Sequence, residues 1–298
     1  MSIEIVFDSV ILFWFILSLL LSVSILIIMT IYFHPFHSNV SILLTFNTYL
    51  TLFFTSMMMV ITYGYNLYVD MYPVVSMKDR WCELRAYLVN VCFCAFYLSC
   101  VLQSIFRLIR VVYYQLIYLR SYFIFSNAIV LQWSLAFLLI LFNLFNEDYQ
   151  YLPRHYRCWI SFENIRGLLL ATTIIYICPL VTIFLIYTHI LRYVRANNSR
   201  RRRQQQRTID RDILVLKRIV IFIFAITLIG LPTVSILVIS IISGKLIPLS
   251  YHIQGLSMSL GVFIATISFA LITPKIQEIL CFPRLTGTER SPSIAEAR

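Results

Sequence analysis

The chain has too little charge for a water-soluble protein. Only 12% of its 298 residues are Asp, Glu, Lys or Arg, whereas 60% are hydrophobic, and the mean hydropathy is +0.84. Soluble domains carry about 25% charged residues, so this composition cannot cover a surface that faces water. The sequence therefore predicts an integral membrane protein and excludes a large soluble protein.

Basic residues are absent from the first nine positions, which hold two acids and no Lys or Arg. A cleavable secretory signal needs a positive first segment and a short apolar core, and the first apolar run here is too long for such a core. We therefore expect residues 1–9 to form an extracellular N-terminus and the first run to stay as a membrane-spanning helix.

Seven long apolar runs contain no charged residue at all. Each is long enough for the ~20 residues that a spanning helix needs, and each is too continuous for the alternating strands of a membrane barrel. The predicted fold class is an all-α membrane protein, a bundle of seven transmembrane helices over residues 10–280 with a cytoplasmic tail at 281–298. The predicted helices extend beyond some of these uncharged runs and cover about residues 10–33, 40–65, 83–114, 122–145, 165–194, 210–243 and 249–280.

The charges between the runs orient this bundle. With the N-terminus outside, 17 of the 24 Lys and Arg fall in inner segments, and the outer segments hold seven bases and eight acids. This asymmetry obeys the positive-inside rule, so the C-terminus is predicted to be cytoplasmic. The basic balance needs no nucleic-acid partner, although the Arg-rich segment 199–207 could attract anionic membrane lipids. Cys281, just past the seventh helix, is a candidate palmitoylation site.

Two of the seven cysteines lie on the predicted outer side. Cys82 stands at the outer end of the third helix, and Cys158 lies in the long loop before the fifth. Because both face an oxidising compartment, a disulfide between them is expected, with two free thiols as the alternative. Aromatic and polar residues alternate in parts of that loop, which favours a small hairpin. Four other cysteines lie inside predicted helices, where they serve as small apolar packing residues.

Several single residues stand at spacings that resemble those of the rhodopsin-like G-protein-coupled receptors. Arg107 follows Cys82 by 25 residues, so Phe106–Leu108 falls where that family usually has Asp-Arg-Tyr. The further landmarks lie on the fourth to seventh helices: Trp133, Pro179, Tyr187, Pro232 and Pro274. The resemblance covers nearly the whole chain and implies a receptor in the plasma membrane that couples to a heterotrimeric G protein.

The resemblance also implies a switch at the cytoplasmic end. Asp212, twenty residues before Pro232, would hold Arg107 by a charge-assisted bond in the resting state. Outward movement of the sixth helix would release Arg107, to which Tyr187 could then offer its hydroxyl. Prolines in the last three helices supply bending points because they remove backbone hydrogen bonds. Arg110 is interpreted as a simple interfacial anchor.

The sequence departs from the family pattern in the middle of the bundle. The first two predicted helices contain no Asp, so the family's buried sodium site is expected to be absent. Tyr97, Pro179 and Ile226 are expected to form the mid-bundle packing trio, with Tyr97 in place of a branched aliphatic residue. Gly230 replaces a common Trp, and Gln277 replaces the Tyr of the seventh helix. A receptor altered in this way could couple weakly, couple constitutively or bind without signalling.

By family position, the ligand site lies in the outer half of the bundle. Its candidate residues are Asn90, Phe93, Thr233, Leu237, Ser259 and Phe263. Simple packing is the alternative role for each of them. The outer part of the third helix has no carboxylate and the seventh run has no Lys, which disfavours an amine ligand and a retinal Schiff base. The expected ligand is a peptide or an apolar small molecule.

Three other functions compete with a receptor. An enzyme is disfavoured because His34 and His37 are accompanied only by scattered His residues without partner acids, so no metal, cofactor or catalysis is expected. A transporter would place ionisable groups inside its spans, and the seven runs have none. A non-signalling seven-helix scaffold, or a chaperone for another receptor, stays open as the main alternative.

Overall fold

A computed structural model describes residues 3–32, 39–71, 80–152, 157–197 and 249–272, with seven single positions between 232 and 242. Six helices within these ranges are long and apolar enough to cross a membrane, so the protein is a multi-pass membrane protein. The helices are α1 (Ile3–Tyr32), α2 (Val40–Met71), α3 (Arg80–Val111), α4 (Tyr122–Phe145), α5 (Ile165–Thr172), α6 (Cys178–Asn197) and α7 (Ser250–Ile272). A π-helical segment, Thr173–Ile177, joins α5 to α6, and these three pieces form the fifth span.

The helix limits agree with the prediction at α4 and differ most at α1 and α2. α1 begins at Ile3 and α2 continues to Met71. These helices therefore contain Asp8 and Asp70, and the expectation that they hold no Asp is wrong. Asp8 can be buried within a helix because it has a partner. Its Oδ1 lies 3.1 Å from Nδ1 of His252 on α7, and both residues are buried. Hydropathy along one segment does not reveal such a partner.

The predicted sixth helix is described only in part. Its described positions are helical and include Pro232, which is half-buried. The rest of residues 210–243 lies outside the described residues, as does the chain beyond Ile272.

α3 occupies the centre of the described bundle. It packs against α2, α4 and α6, while α1 packs against α2 and α7. Large apolar side chains such as Phe15, Tyr49 and Ile140 are fully buried between these helices. Phe123 and Phe145 of α4 are exposed, as expected for side chains that face lipid rather than water.

A polar junction joins α2, α3 and α4 inside this core. Asn47 Nδ2 donates to Gln132 Oε1 at 2.8 Å, and Gln132 Nε2 donates to the carbonyl of Ala95 at 2.9 Å. Trp133 Nε1 donates to Asn47 Oδ1 at 3.1 Å. Because buried polar groups must find partners within the protein, these bonds fix the three helices in register.

A second junction consists of hydroxyl groups from α1, α2 and α7. Ser18 Oγ lies 3.0 Å from Thr266 Oγ1 and 3.2 Å from Ser56 Oγ. Tyr49 donates its hydroxyl to the carbonyl of Thr266 at 3.1 Å. The members of this junction are all neutral, so it joins helices through hydrogen bonds without a buried charge.

Replacing Gln132 by Leu tests the first junction. We expect the free energy of unfolding in detergent to fall by about 1–2 kcal/mol, because the Asn47 amide loses its acceptor while it stays buried. The control is Gln115→Leu, since Gln115 is exposed. An equal loss in both variants would contradict a specific role for the junction.

Candidate ligand-binding cavity

A β-hairpin covers one end of the bundle, as the alternation in the long loop predicts. β1 (Tyr149–Leu152) pairs antiparallel with β2 (Arg157–Ile160), and Tyr151 stands opposite Cys158 in the register. The structure contains the predicted disulfide between Cys82 and Cys158, whose Cα atoms lie 5.4 Å apart. β2 is therefore attached to the first turn of α3, and we refer to this part of the molecule as the hairpin end.

Hydrogen bonds attach the hairpin to two further helices. The backbone N–H of Phe162 donates to the hydroxyl of Tyr251 on α7 at 3.2 Å, and the two rings lie 4.9 Å apart. Asn164 caps α5 by accepting from the N–H of Gly167 at 3.1 Å and donates to Asp148 at 2.7 Å. The hairpin is thus held by α3, α5 and α7 together, which makes it a fixed wall.

A cavity of about 120 Å³ lies beneath this wall. Its lining is mostly apolar and aromatic, and none of the described lining residues is charged. The polar members are Asn90, Thr172, Gln254 and Ser257. A concave, largely apolar site with a few neutral polar groups has the composition of small-molecule sites in proteins.

The structure places the predicted ligand residues in two groups. Asn90 and Phe93 line the cavity. Ser259 and Phe263 do not, because α7 turns its Gln254, Ser257 and Val262 side toward the cavity. Phe263 instead packs on Trp14 of α1 with a ring separation of 4.8 Å, and Ser259 is fully buried and donates to the carbonyl of Leu256. Thr233 and Leu237 lie outside the described residues.

Sequence reasoning missed the part of the wall that the π-helical segment provides. Ile175 and Tyr176 of this segment line the cavity, as does Thr172, the last residue of α5, and Tyr176 packs edge-on against Tyr97 at 5.6 Å. The signal in the sequence is Pro179: it has no N–H, and its ring crowds the preceding turn. The chain accommodates this by widening the turn, so that the N–H of Cys178 bonds to the carbonyl of Thr173, five residues back.

Trp159 and Ile160 of the hairpin also line the cavity and were not predicted. Their position depends on the disulfide and on the strand register, neither of which an isolated residue reveals. Tyr149 of β1 is buried next to them and stands opposite Ile160 in the strand pairing. Burial raises the pKa of the Tyr149 phenol, which moves its ionisation still further above physiological pH.

The predicted switch residues lie near the opposite end of α3. Arg107 is half-buried and Arg110 is exposed. Tyr187 of α6 is buried; its hydroxyl lies 3.4 Å from Ser104 Oγ, and it interacts electrostatically with Arg107. Pro179 is buried at the start of α6. The remaining predicted residues, Asp212, Ile226, Pro274 and Cys281, lie outside the described residues.

The ionisable groups at the hairpin end differ from the prediction in one respect. His252 was expected to lack a partner acid, yet it contacts Asp8, and Phe7 stacks on its ring at 5.8 Å. α1 and α7 start close together, which brings the two residues into contact. Across the part of the chain that the structure describes, no cluster of three or more His, Cys, Asp or Glu could hold a metal ion.

No protein-family model and no curated protein matches this chain.

Replacing Cys158 by Ser tests the attachment of the hairpin. The disulfide closes a loop between residues 76 apart in sequence, so its removal should lower the free energy of unfolding by about 2–5 kcal/mol. The control is Cys178→Ser, since Cys178 is free and exposed. Thermal unfolding of both purified variants gives the comparison, and a stability loss confined to Cys178→Ser would refute the prediction.

Proposed function

We propose that the protein is a rhodopsin-like receptor of the plasma membrane that transmits binding of an extracellular ligand to a cytoplasmic G protein. The observation that carries the proposal is the position of the cavity: it lies beneath the disulfide-tethered hairpin, at one end of α3. Arg107, the residue that the resemblance assigns to G-protein coupling, lies near the other end of the same helix. In this proposal the hairpin end faces outward.

α3 connects the two ends as a single helix. Phe93 in the cavity and Arg107 are separated by 14 positions of α3, which corresponds to roughly 21 Å along the helix axis. Tyr187 links α6 to α3 near Arg107, through its contact with Ser104. A ligand that favours one arrangement of α5 and α6 against α3 would thereby change the surroundings of Arg107.

The lining favours a neutral ligand. A charged group would leave water for a site whose described lining residues carry no counter-charge, and such a transfer is strongly unfavourable. A dry apolar cavity of ~150 Å³ binds benzene, so a cavity of about 120 Å³ suits a small neutral aromatic group. That group is either a whole molecule or the aromatic part of a larger ligand such as a peptide.

The test of coupling is ligand-free nucleotide exchange on a panel of Gα subunits, with wild type, Asp212→Ala and Arg107→Ala at equal surface expression. Asp212→Ala should raise basal exchange because it removes the proposed partner of Arg107. Arg107→Ala should lower exchange roughly 10- to 100-fold, which corresponds to the loss of a charged hydrogen bond of about 1.5–3 kcal/mol. Arg110→Ala is the control and should match wild type.

The outcomes separate the receptor from its main alternative. Unchanged basal exchange in a well-expressed Asp212→Ala variant would refute the Arg107–Asp212 pair. Silence of every variant with every Gα subunit, at verified surface expression, would favour the non-signalling scaffold that the altered family motifs leave open.

The ligand class has its own test by thermal unfolding. Neutral probes such as benzene and indole should raise the unfolding temperature, whereas the charged analogues benzoate and benzylamine should not. Thr172→Phe should abolish the effect of the neutral probes because it fills the cavity that Thr172 lines. The control is Thr182→Phe, on the exposed side of the same span. Equal responses to charged and neutral probes would contradict the prediction.

A further inference from the structure

A second, smaller cavity lies between α2, α3 and β2 and shares Trp159 with the larger one. Two guanidinium groups, those of Arg85 and Arg157, line it together with the amide of Asn66. The described lining includes no carboxylate. The cavity has a volume of about 10 Å³, which is room for about one water-sized sphere. Two cationic groups therefore surround a space of atomic dimensions.

Arg157 is a deeply buried cation. Only 6% of its surface is exposed, and its guanidinium carbon lies 5.0 Å from the ring centroid of Tyr63, 5.8 Å from Trp159 and 5.9 Å from Tyr251. Aromatic faces offset part of the cost of removing this charge from water. They do not accept the Nε hydrogen, which is buried and meets no acceptor among the described residues.

Neither guanidinium has a carboxylate partner in the described chain. Arg85 lies over the ring of Tyr65 at 4.7 Å, and no described ion pair involves Arg85 or Arg157. Asp8, whose charge also reaches Tyr63, is already in contact with His252. An Arg that is buried without a counter-ion is unfavourable, so the site calls for negative charge from outside the described residues.

Asn66 provides independent evidence for a ligand at this place. It is 2% exposed, and within the described structure neither its Oδ1 nor its Nδ2 forms a hydrogen bond. Buried side-chain amides are nearly always bonded, so two unbonded atoms on one wall of a cavity indicate a missing partner. An anion that accepts from Nδ2 and from both guanidinium groups satisfies the amide donor and neutralises one of the two positive charges.

The geometry points to a binding site for one small anion, chloride, held by Asn66, Arg85 and Arg157. A chloride ion is larger than a water molecule but much smaller than sulfate or phosphate, and it accepts several N–H bonds. The bound ion joins β2 to α2 and α3 beside the disulfide and restrains Trp159. The site does not depend on the proposed function, because it requires neither a ligand in the larger cavity nor a G protein.

The experiment uses the full-length protein in nanodiscs, without ligand or G protein. Chloride is titrated against gluconate at constant ionic strength, and the unfolding temperature is recorded. We expect a rise of roughly 2–4 °C for each tenfold increase in chloride above its dissociation constant. Sulfate in place of chloride should give no such rise. Equal unfolding temperatures in chloride and gluconate would overturn the proposal and leave a bound water as the occupant.

Two variants and one control locate the effect. Asn66→Asp places a carboxylate where the ion binds, so it should abolish the chloride response and unfold in gluconate at or above the wild-type temperature. Arg157→Met should also lose the response, and Asn66→Asp carries the test alone if Arg157→Met does not fold. Arg166→Met alters an exposed Arg of α5 and should keep the full response. A wild-type response in Asn66→Asp would overturn the assignment.

Discussion

The bond between Cys82 and Cys158 determines the position of most of the hairpin end. It fixes β2 on the first turn of α3, and the residues on either side of Cys158 then take defined places. Arg157 lies against aromatic rings, and Trp159 lines both cavities. Without this attachment, the two short strands would depend on the hydrogen bonds of Phe162 and Asn164 to α7 and α5, since isolated hairpins are marginally stable.

The interior uses polar groups in two different ways. In the middle of the bundle, Asn47, Gln132 and Trp133 form hydrogen bonds with one another and with the backbone. These groups are neutral and mutually satisfied, so they act as fixed connections between helices. Near the ends of α3 the chain instead places two charged side chains, Arg85 and Arg107, and both are half-buried. This arrangement separates a neutral, hydrogen-bonded centre from ends that carry charge.

The sequence predicts the helices well where one physical effect dominates. α4 is found at the predicted residues because apolar character alone defines a helix that faces lipid on one side. The hairpin and the disulfide follow from local alternation and from the compartment that two cysteines share. α1 begins earlier than predicted and includes Asp8, whose partner His252 is 244 positions away in the chain. A contact of that range cannot be read from local hydropathy.

The candidate site is predictable only in part for the same reason. Asn90 and Phe93 were found because the cysteine and arginine of α3 define which side of that helix faces inward. Ser259 and Phe263 were placed by counting along a helix that has no such landmark among its described residues. Arg157 and Asn66 share no local pattern at all, since a strand of the hairpin brings one to the other.

The π-helical segment before Pro179 has a geometric consequence for the whole fifth span. One additional residue in a turn rotates everything on one side of it by about 100° relative to the other side. The face that α5 presents to the cavity and the face on which Tyr187 meets α3 are therefore set independently, although they belong to one continuous helix. Deletion of a single residue here would align the two halves as a regular helix and turn one of these faces toward the lipid. The segment thus sets the rotation of one end of the span about the helix axis relative to the other end.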